Sequence, residues 1–277
     1  MLRSMFAAIS GLKSHQTMLD VTANDIANVN TIGFKAGRTT FKDSLAQLQS
    51  GSAAPSGGQG GANATQVGLG VQLGSIDNLM GSGALQSTGN VLDVAIQGEG
   101  WFRVGAGAPP AVPTTFQYTR AGNFTTNQQG YLVTQDGSYV IGRTAAGAGG
   151  ADTYLQVPPG ATNASIGQDG SVAYDPPGGG TRVIAGYISL AKFANQAGLE
   201  RASSNRWNVS ASSGAEQVDT AGSNGFGLTT SGAVEMSNVD LASEFTNMIT
   251  AQRGFQANSR VISTADEVLQ ELVNLKR

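Results

Sequence analysis

Residues 2–29 read LRSMFAAISGLKSHQTMLDVTANDIANV, a stretch with no proline and a single glycine. Its apolar side chains fall on a seven-residue repeat. Leu2, Ile9, Gln16 and Ala23 recur at one position of that repeat, and Met5, Leu12, Leu19 and Ile26 at the other. A repeat of this kind sustained over about four heptads predicts a long helix with a coiled-coil seam rather than an ordinary amphipathic helix. At about 1.5 Å per residue such a helix is roughly 42 Å long.

The other end of the chain mirrors it. Leu241, Met248, Phe255, Ile262 and Leu269 are again seven apart, with Phe245, Gln252, Ser259, Asp266 and Val273 in the companion row. Ile249, Val261, Val268 and Leu272 widen the apolar stripe beyond what one neighbouring helix covers. Ser237, with Asp240 three residues later, resembles a capping box and sets the expected start of this helix near residue 238.

Between the helices the pattern changes to short strands separated by turn signals. Residues 91–104 alternate in part and reach Trp101-Phe102-Arg103-Val104 after Gly98 and Gly100. Turns are expected at Asn127-Gln128-Gln129-Gly130, Asp136-Gly137 and Asp169-Gly170. The fold class that follows is α+β: terminal helices over 1–30 and 238–277 paired as a coiled coil, and an all-β domain over 85–228. An extended connecting region over 31–84 joins them. Within it residues 50–64, rich in Gly, Ser and Ala, have almost nothing to bury and read as a flexible linker.

Composition narrows the function. The 39 glycines are about twice the usual share of roughly 7%. Formal net charge is -3, and the 16 Lys and Arg form no basic run, which argues against nucleic-acid binding. The absence of cysteine removes disulfides, thiol nucleophiles and thiolate metal sites. Neither a cleavable signal sequence nor an apolar stretch of membrane-spanning length is expected, and no membrane insertion.

Catalysis finds little to work with. The single histidine, His15, lies in the first heptad helix beside Gln16, with no sequence sign of a triad partner. Asp93, Glu99, Asp136 and Asp169 could meet as a carboxylate pair, but three of the four adjoin glycines as turn or strand-end residues. Gly68-Leu69-Gly70-Val71-Gln72-Leu73-Gly74 lacks phosphate-loop spacing. No enzyme activity, cofactor or metal is expected. The helices remain, either packed within a monomer or serving to associate copies of the chain. Their length, and polar residues within the seams, favour association.

Residues 22–35, TANDIANVNTIGFK, resemble the signature that closes the first helix of flagellar rod and hook proteins, carried by Asn24, Ala27, Asn28, Thr31, Gly33, Phe34 and Lys35. Residues 83–102 resemble the entry to that family's β domain, with Trp101 where Phe or Tyr is more usual, and residues 232–241, GAVEMSNVDL, together with 251–259 and 272–277, resemble its C-terminal block. The resemblance implies a structural subunit that polymerises with itself into a hollow helical tube. On that reading the terminal helices line the tube, residues 31–78 form a connecting layer and the β domain faces outward. It also implies export through the flagellar type III apparatus without signal cleavage. The other implied partners are rod proteins, hook-filament junction proteins and the hook cap. Within the family, Ser237-Asn238-Val239-Asp240-Leu241 and the closing residues 271–277 look more like a hook protein in short form. The distal rod is the alternative.

Overall fold

The computed structural model describes residues 2–275 except 53, 55–59, 62, 108, 148 and 179, with the backbone alone at residue 2. The chain divides into two units. One gathers Met1–Ala27, Gly37–Asn78 and Asp240–Arg277; the other gathers Asn28–Ala36 and Leu79–Val239.

The first unit holds two helices, α1 (Leu2–Ala27) and α2 (Leu241–Asn274), and four strands, β1 (Gly37–Asp43), β2 (Ala46–Ser50), β3 (Thr65–Gly68) and β4 (Val71–Asn78). At about 1.5 Å per residue the helices are roughly 39 and 51 Å long. Helix α2 starts one turn later than the capping box implied. Asp240 is its N-cap, with φ -94° and ψ 106°, and its carboxylate accepts from the Ala242 amide at 3.0 Å. Ser237 instead accepts from Val239, and Asn238 spends its side chain on Ala36, Leu79 and Gly81. That tertiary bonding holds residues 237–239 out of helical conformation.

The connecting region carries regular structure. Strand β1 pairs antiparallel with β4, from Gly37 opposite Asn78 to Asp43 opposite Val71, and β2 pairs antiparallel with β3. Residues 51–64 lie between β2 and β3, Ser50 of the expected flexible linker ends β2, and seven of that linker's fifteen residues lie outside those described. The glycine cluster at 68–74 runs from the end of β3 through Leu69-Gly70 into the start of β4. Gly70, at φ +120°, lies against Ala7 and Ser10 of α1, and Ser10 Oγ accepts from the Val71 amide at 3.2 Å. A side chain at position 70 would meet both the wrong backbone region and the helix.

The second unit is built of β-strands, with one turn of 3-10 helix at Gln196–Gly198. Its first strands are β5 (Leu85–Ser87), β6 (Val94–Gln97), β7 (Trp101–Gly105), β8 (Gln117–Thr119), β9 (Thr125–Thr126), β10 (Leu132–Val133), β11 (Tyr139–Arg143) and β12 (Asp152–Tyr154). There follow β13 (Thr162–Ile166), β14 (Ser171–Asp175), β15 (Val183–Lys192), β16 (Glu200–Arg201), β17 (Arg206–Asn208), β18 (Gln217–Thr220), β19 (Leu228–Ser231) and β20 (Ala233–Glu235). Twelve of these strands share one sheet, whose main path is β13-β14-β15-β11-β7-β8-β17-β16. Strand β19 pairs with β6, and β20 with β5.

All three expected turns are present. Gly130, Gly137 and Gly170 have φ of +84°, +79° and +78°, and their amides return to Asn127, Thr134 and Gly167. Trp101 and Phe102 show the two-residue period of a strand, because each enters a different core cluster. Phe102 joins Val94, Phe124, Leu132 and Ile188, while Trp101 joins Tyr118, Phe193, Leu199 and Trp207. Strand β6 shows no alternation, since Val94, Ala95 and Ile96 are all buried. Cover on both faces erases the apolar-polar pattern.

Candidate functional site

The helix pair is where the sequence placed the protein's working surface, and α1 and α2 meet through small residues. Gly11 faces Asn258, and Gly254 faces His15. As the chain advances along α1 its partners recede along α2, so the helices run antiparallel. The side chains buried in α1 are Ala8, Ser14, Thr22 and Asp25, and in α2 Ala251 and Ala265. Residues 244, 248, 251, 255, 258, 262, 265 and 269 of α2 alternate by three and four, and all are buried or half-buried.

The expected seam residues lie beside this crossing. Met5, Leu12, Leu19 and Ile26 on α1 are half-buried, as are Met248, Phe255, Ile262 and Leu269 on α2. Ile9, Leu241 and Phe245 are exposed, Phe245 to 50%. The side chain of Leu2 is outside those described. The companion row on α2 is displaced: Gln252, Ser259 and Asp266 face solvent, and Glu244, Ala251, Asn258 and Ala265 take the inward place. A sequence pattern selects large apolar side chains, whereas a close helix crossing selects small ones. The outcome is a tight internal contact flanked by apolar rows that remain half open.

The signature divides between the two units. Asn24 and Ala27 belong to α1, with Asn24 exposed. Asn28 begins the second unit, where the Thr31 amide and hydroxyl both donate back to it. Gly33, Phe34 and Lys35 then enter the β structure. Gly33 has φ +68°, and its amide donates to Glu235 O at 2.7 Å. A Cβ at this position would stand 2.6 Å from the backbone of Arg120 and Ala121. Phe34 is buried with the Arg201 guanidinium 4.8 Å from its ring centre, and Arg201 donates to Lys35 O at 2.6 Å.

Lys35 is completely buried. Its ammonium donates to Glu235 Oε1 at 2.6 Å and to Gly81 O at 2.8 Å. Glu235, also fully buried, accepts from the Gly83 amide at 2.9 Å and pairs through Oε2 with Arg120 at 3.1 Å. Arg120 further donates to Gly98 O at 2.8 Å. Burial pulls Lys35 below the usual ammonium range; Glu235 opposes that shift and Arg120 adds to it. Neither Glu235 nor Arg120 was singled out by sequence. The only signal was that Glu235 sits in the C-terminal block, 200 residues from Lys35.

His15 lies against Gly254 and edge-on to Phe41, ring centres 6.0 Å apart, which is a packing environment. Asp93 bonds to Thr88 and Asn90 in a turn, and Asp169 to Ser171 in another. Asp136 pairs with Arg206 and Glu99 with Lys192. These carboxylates therefore each have separate structural partners. Among the described residues no group of acidic or histidine side chains is arranged to hold a metal ion, and no helix is long and apolar enough to cross a membrane.

Three family models match the chain. Residues 5–35 match the flagella basal body rod protein model, residues 95–174 the flagellar hook protein FlgE/F/G D1 domain, and residues 230–275 the flagellar basal body rod FlgEFG protein C-terminal model. The flagellar basal-body rod protein FlgG of Bacillus subtilis is 48% identical, with all of both chains covered. FlgG of Caulobacter vibrioides is 38% identical over 99% of this chain and 100% of its own. The flagellar hook protein FlgE of Borreliella burgdorferi is 27% identical, in an alignment 447 residues long that covers all of both. These are structural proteins of the flagellum and not enzymes. With relatives this similar along its whole length, and with both signature blocks joined in one buried cluster, the chain belongs to the family of flagellar rod and hook proteins.

Proposed function

We infer that this chain is a subunit of the distal rod of the flagellar basal body, a structural protein that polymerises through its terminal helices into a hollow helical tube. The rod reading takes precedence over the short-form hook because the relatives at 48% and 38% identity, matched end to end, are named basal-body rod proteins. The hook relative needs an alignment of 447 residues against a chain of 277.

The observation that carries self-assembly is the apolar surface left on the helices. Phe6, Phe245 and Ile249 are 68%, 50% and 58% exposed, beside the half-buried rows of Met5, Leu12, Leu19, Met248, Phe255 and Ile262. Large apolar side chains aligned on helices are costly in water and are covered when copies pack as a coiled coil. In the assembled tube the helices form the inner layer, residues 37–78 of the expected 31–84 region connect, and the β domain, with residues 28–36 in it, lies outside. The subunit is exported by the flagellar type III apparatus without signal cleavage. Rod and hook proteins of the same axis are its neighbours; the hook cap and hook-filament junction proteins belong to the hook alternative.

Electron microscopy of the purified chain under polymerising conditions tests this. Straight tubes are expected. Curved tubes would restore the hook reading, and protein that stays monomeric at every concentration would overturn self-assembly.

A further inference from the structure

Two cations share one anion inside the second unit. Lys35, Arg120 and Glu235 are essentially removed from water, two basic groups to one buried carboxylate, and the basic groups also donate to the carbonyls of Gly81 and Gly98. Such a cluster persists only if its anion is fixed, because an unpaired buried cation is far more costly than a paired one. Glu235 is fixed by strand pairing of β20 with β5 and by the Gly83 amide on its carboxylate.

We propose that Glu235 is a clasp that captures Lys35 from within the same chain, holding the segment Asn28–Ala36 in the β unit. The signature lysine is thereby an internal anchor and not a contact to another subunit. The segment contains no strand of its own. Much of its attachment runs to the stretch around residue 235: Gly33 N to Glu235 O, Lys35 Nζ to Glu235 Oε1, and Ala36 N to Asn238 Oδ1 at 2.8 Å. Because the two sides of the clasp are 200 residues apart in sequence, the second unit closes only when almost its whole sequence is present. These contacts lie within one unit, so the proposal stands apart from the choice between rod and hook.

The charge count predicts an asymmetry that simple packing does not. Lys35→Met leaves Arg120 and Glu235 as a one-to-one pair, whereas Glu235→Gln leaves two buried cations with no buried anion, since Glu99, which also acts on Arg120, is more than half exposed and paired with Lys192. Hydrogen exchange of the full-length chain, read on peptides spanning residues 28–36, separates these. Glu235→Gln is expected to raise exchange by about tenfold or more, and Lys35→Met by less than about threefold. Adding Lys35→Met to Glu235→Gln should slow exchange again, since one cation has been removed. Wild-type protection in Glu235→Gln, or equal loss in both single variants, would overturn the clasp. If Glu235→Gln yields no folded protein, the double variant must restore it, and failure to do so also counts against the proposal. Lys35→Met should still polymerise; a folded Lys35→Met monomer unable to do so would place the lysine at a subunit contact instead.

Discussion

The imidazole of His15 on α1 occupies the space that a side chain at Gly254 on α2 would need: a Cβ there would stand 2.5 Å from both Cε1 and Nε2. One turn away the relation reverses, with Asn258 of α2 lying over Gly11 of α1, 2.8 Å from where a Cβ would be. Each helix gives a glycine to receive the other's polar side chain. The two contacts fix the antiparallel register, and they account for a glycine in the interior of each helix.

Gly254→Ala is therefore expected to destabilise the helix pair, although alanine gains about 1 kcal/mol in helix propensity over glycine. Overpacking typically costs about 1–3 kcal/mol, which outweighs that gain. Adding His15→Ala removes the clash and should recover the loss. Thermal unfolding followed by far-ultraviolet circular dichroism decides it, and a Gly254→Ala variant more stable than the parent would show that His15 moves aside freely.

Phe245→Asp and Ile249→Asp should abolish polymerisation while leaving the monomer folded. Both side chains are at least half exposed in the chain by itself, so the change costs little until a second copy covers them. A buried unpaired carboxylate then costs several kcal/mol. Sedimentation reads the polymer and circular dichroism the monomer. Normal polymer from both variants would mean that another surface drives assembly.

Two glycines of nearly equal conformation should respond differently to substitution. Gly33 and Gly137 have φ of +68° and +79°, but the backbone of Arg120 and Ala121 crowds the first, while nothing lies within 4 Å of a Cβ at the second. Asparagine tolerates this backbone region. Gly137→Asn is thus expected to cost under about 1 kcal/mol, and Gly33→Asn to exceed about 3 kcal/mol. Denaturant midpoints of the two variants provide the comparison.

Alkaline titration should expose Tyr118. Burial, together with its hydrogen bond to Glu216 at 2.5 Å, pushes this phenol well above its ordinary value of 10.0. Above pH 10 the unfolded chain ionises while the folded one keeps its proton, so stability is lost as pH rises beyond that point. The loss reaches at most about 1.4 kcal/mol per pH unit from this group. Tyr118→Phe removes that slope. Unfolding free energies of both proteins between about pH 9 and 11 test it, and parallel curves would place the ionisation elsewhere.

Much of this architecture was legible in one dimension because it depends on local repeats. The heptad rows at Leu2–Ile26 and Leu241–Leu269 correspond to α1 and α2, since periodic burial requires periodic apolar residues. Asn127–Gly130, Asp136-Gly137 and Asp169-Gly170 turned where expected, because a positive φ at glycine is a local property. The single extended connection was less well read. Residues 37–78 pair across intervals of up to about forty positions, and weakly alternating sequence does not declare its partner.

By itself the sequence determined two terminal helices, a turn-rich β region between them, and the kinship carried by residues 22–35 and 232–241. Only the tertiary structure decided which side chains those helices bury against each other, because a close crossing is set by where a small residue of one helix meets a larger side chain of the other, as Gly11 meets Asn258 and Gly254 meets His15. Only it could join Lys35 to Glu235 and Arg120. A charged residue is removed from water when a distant part of the chain arrives to pair with it, and no pattern within either segment records that meeting.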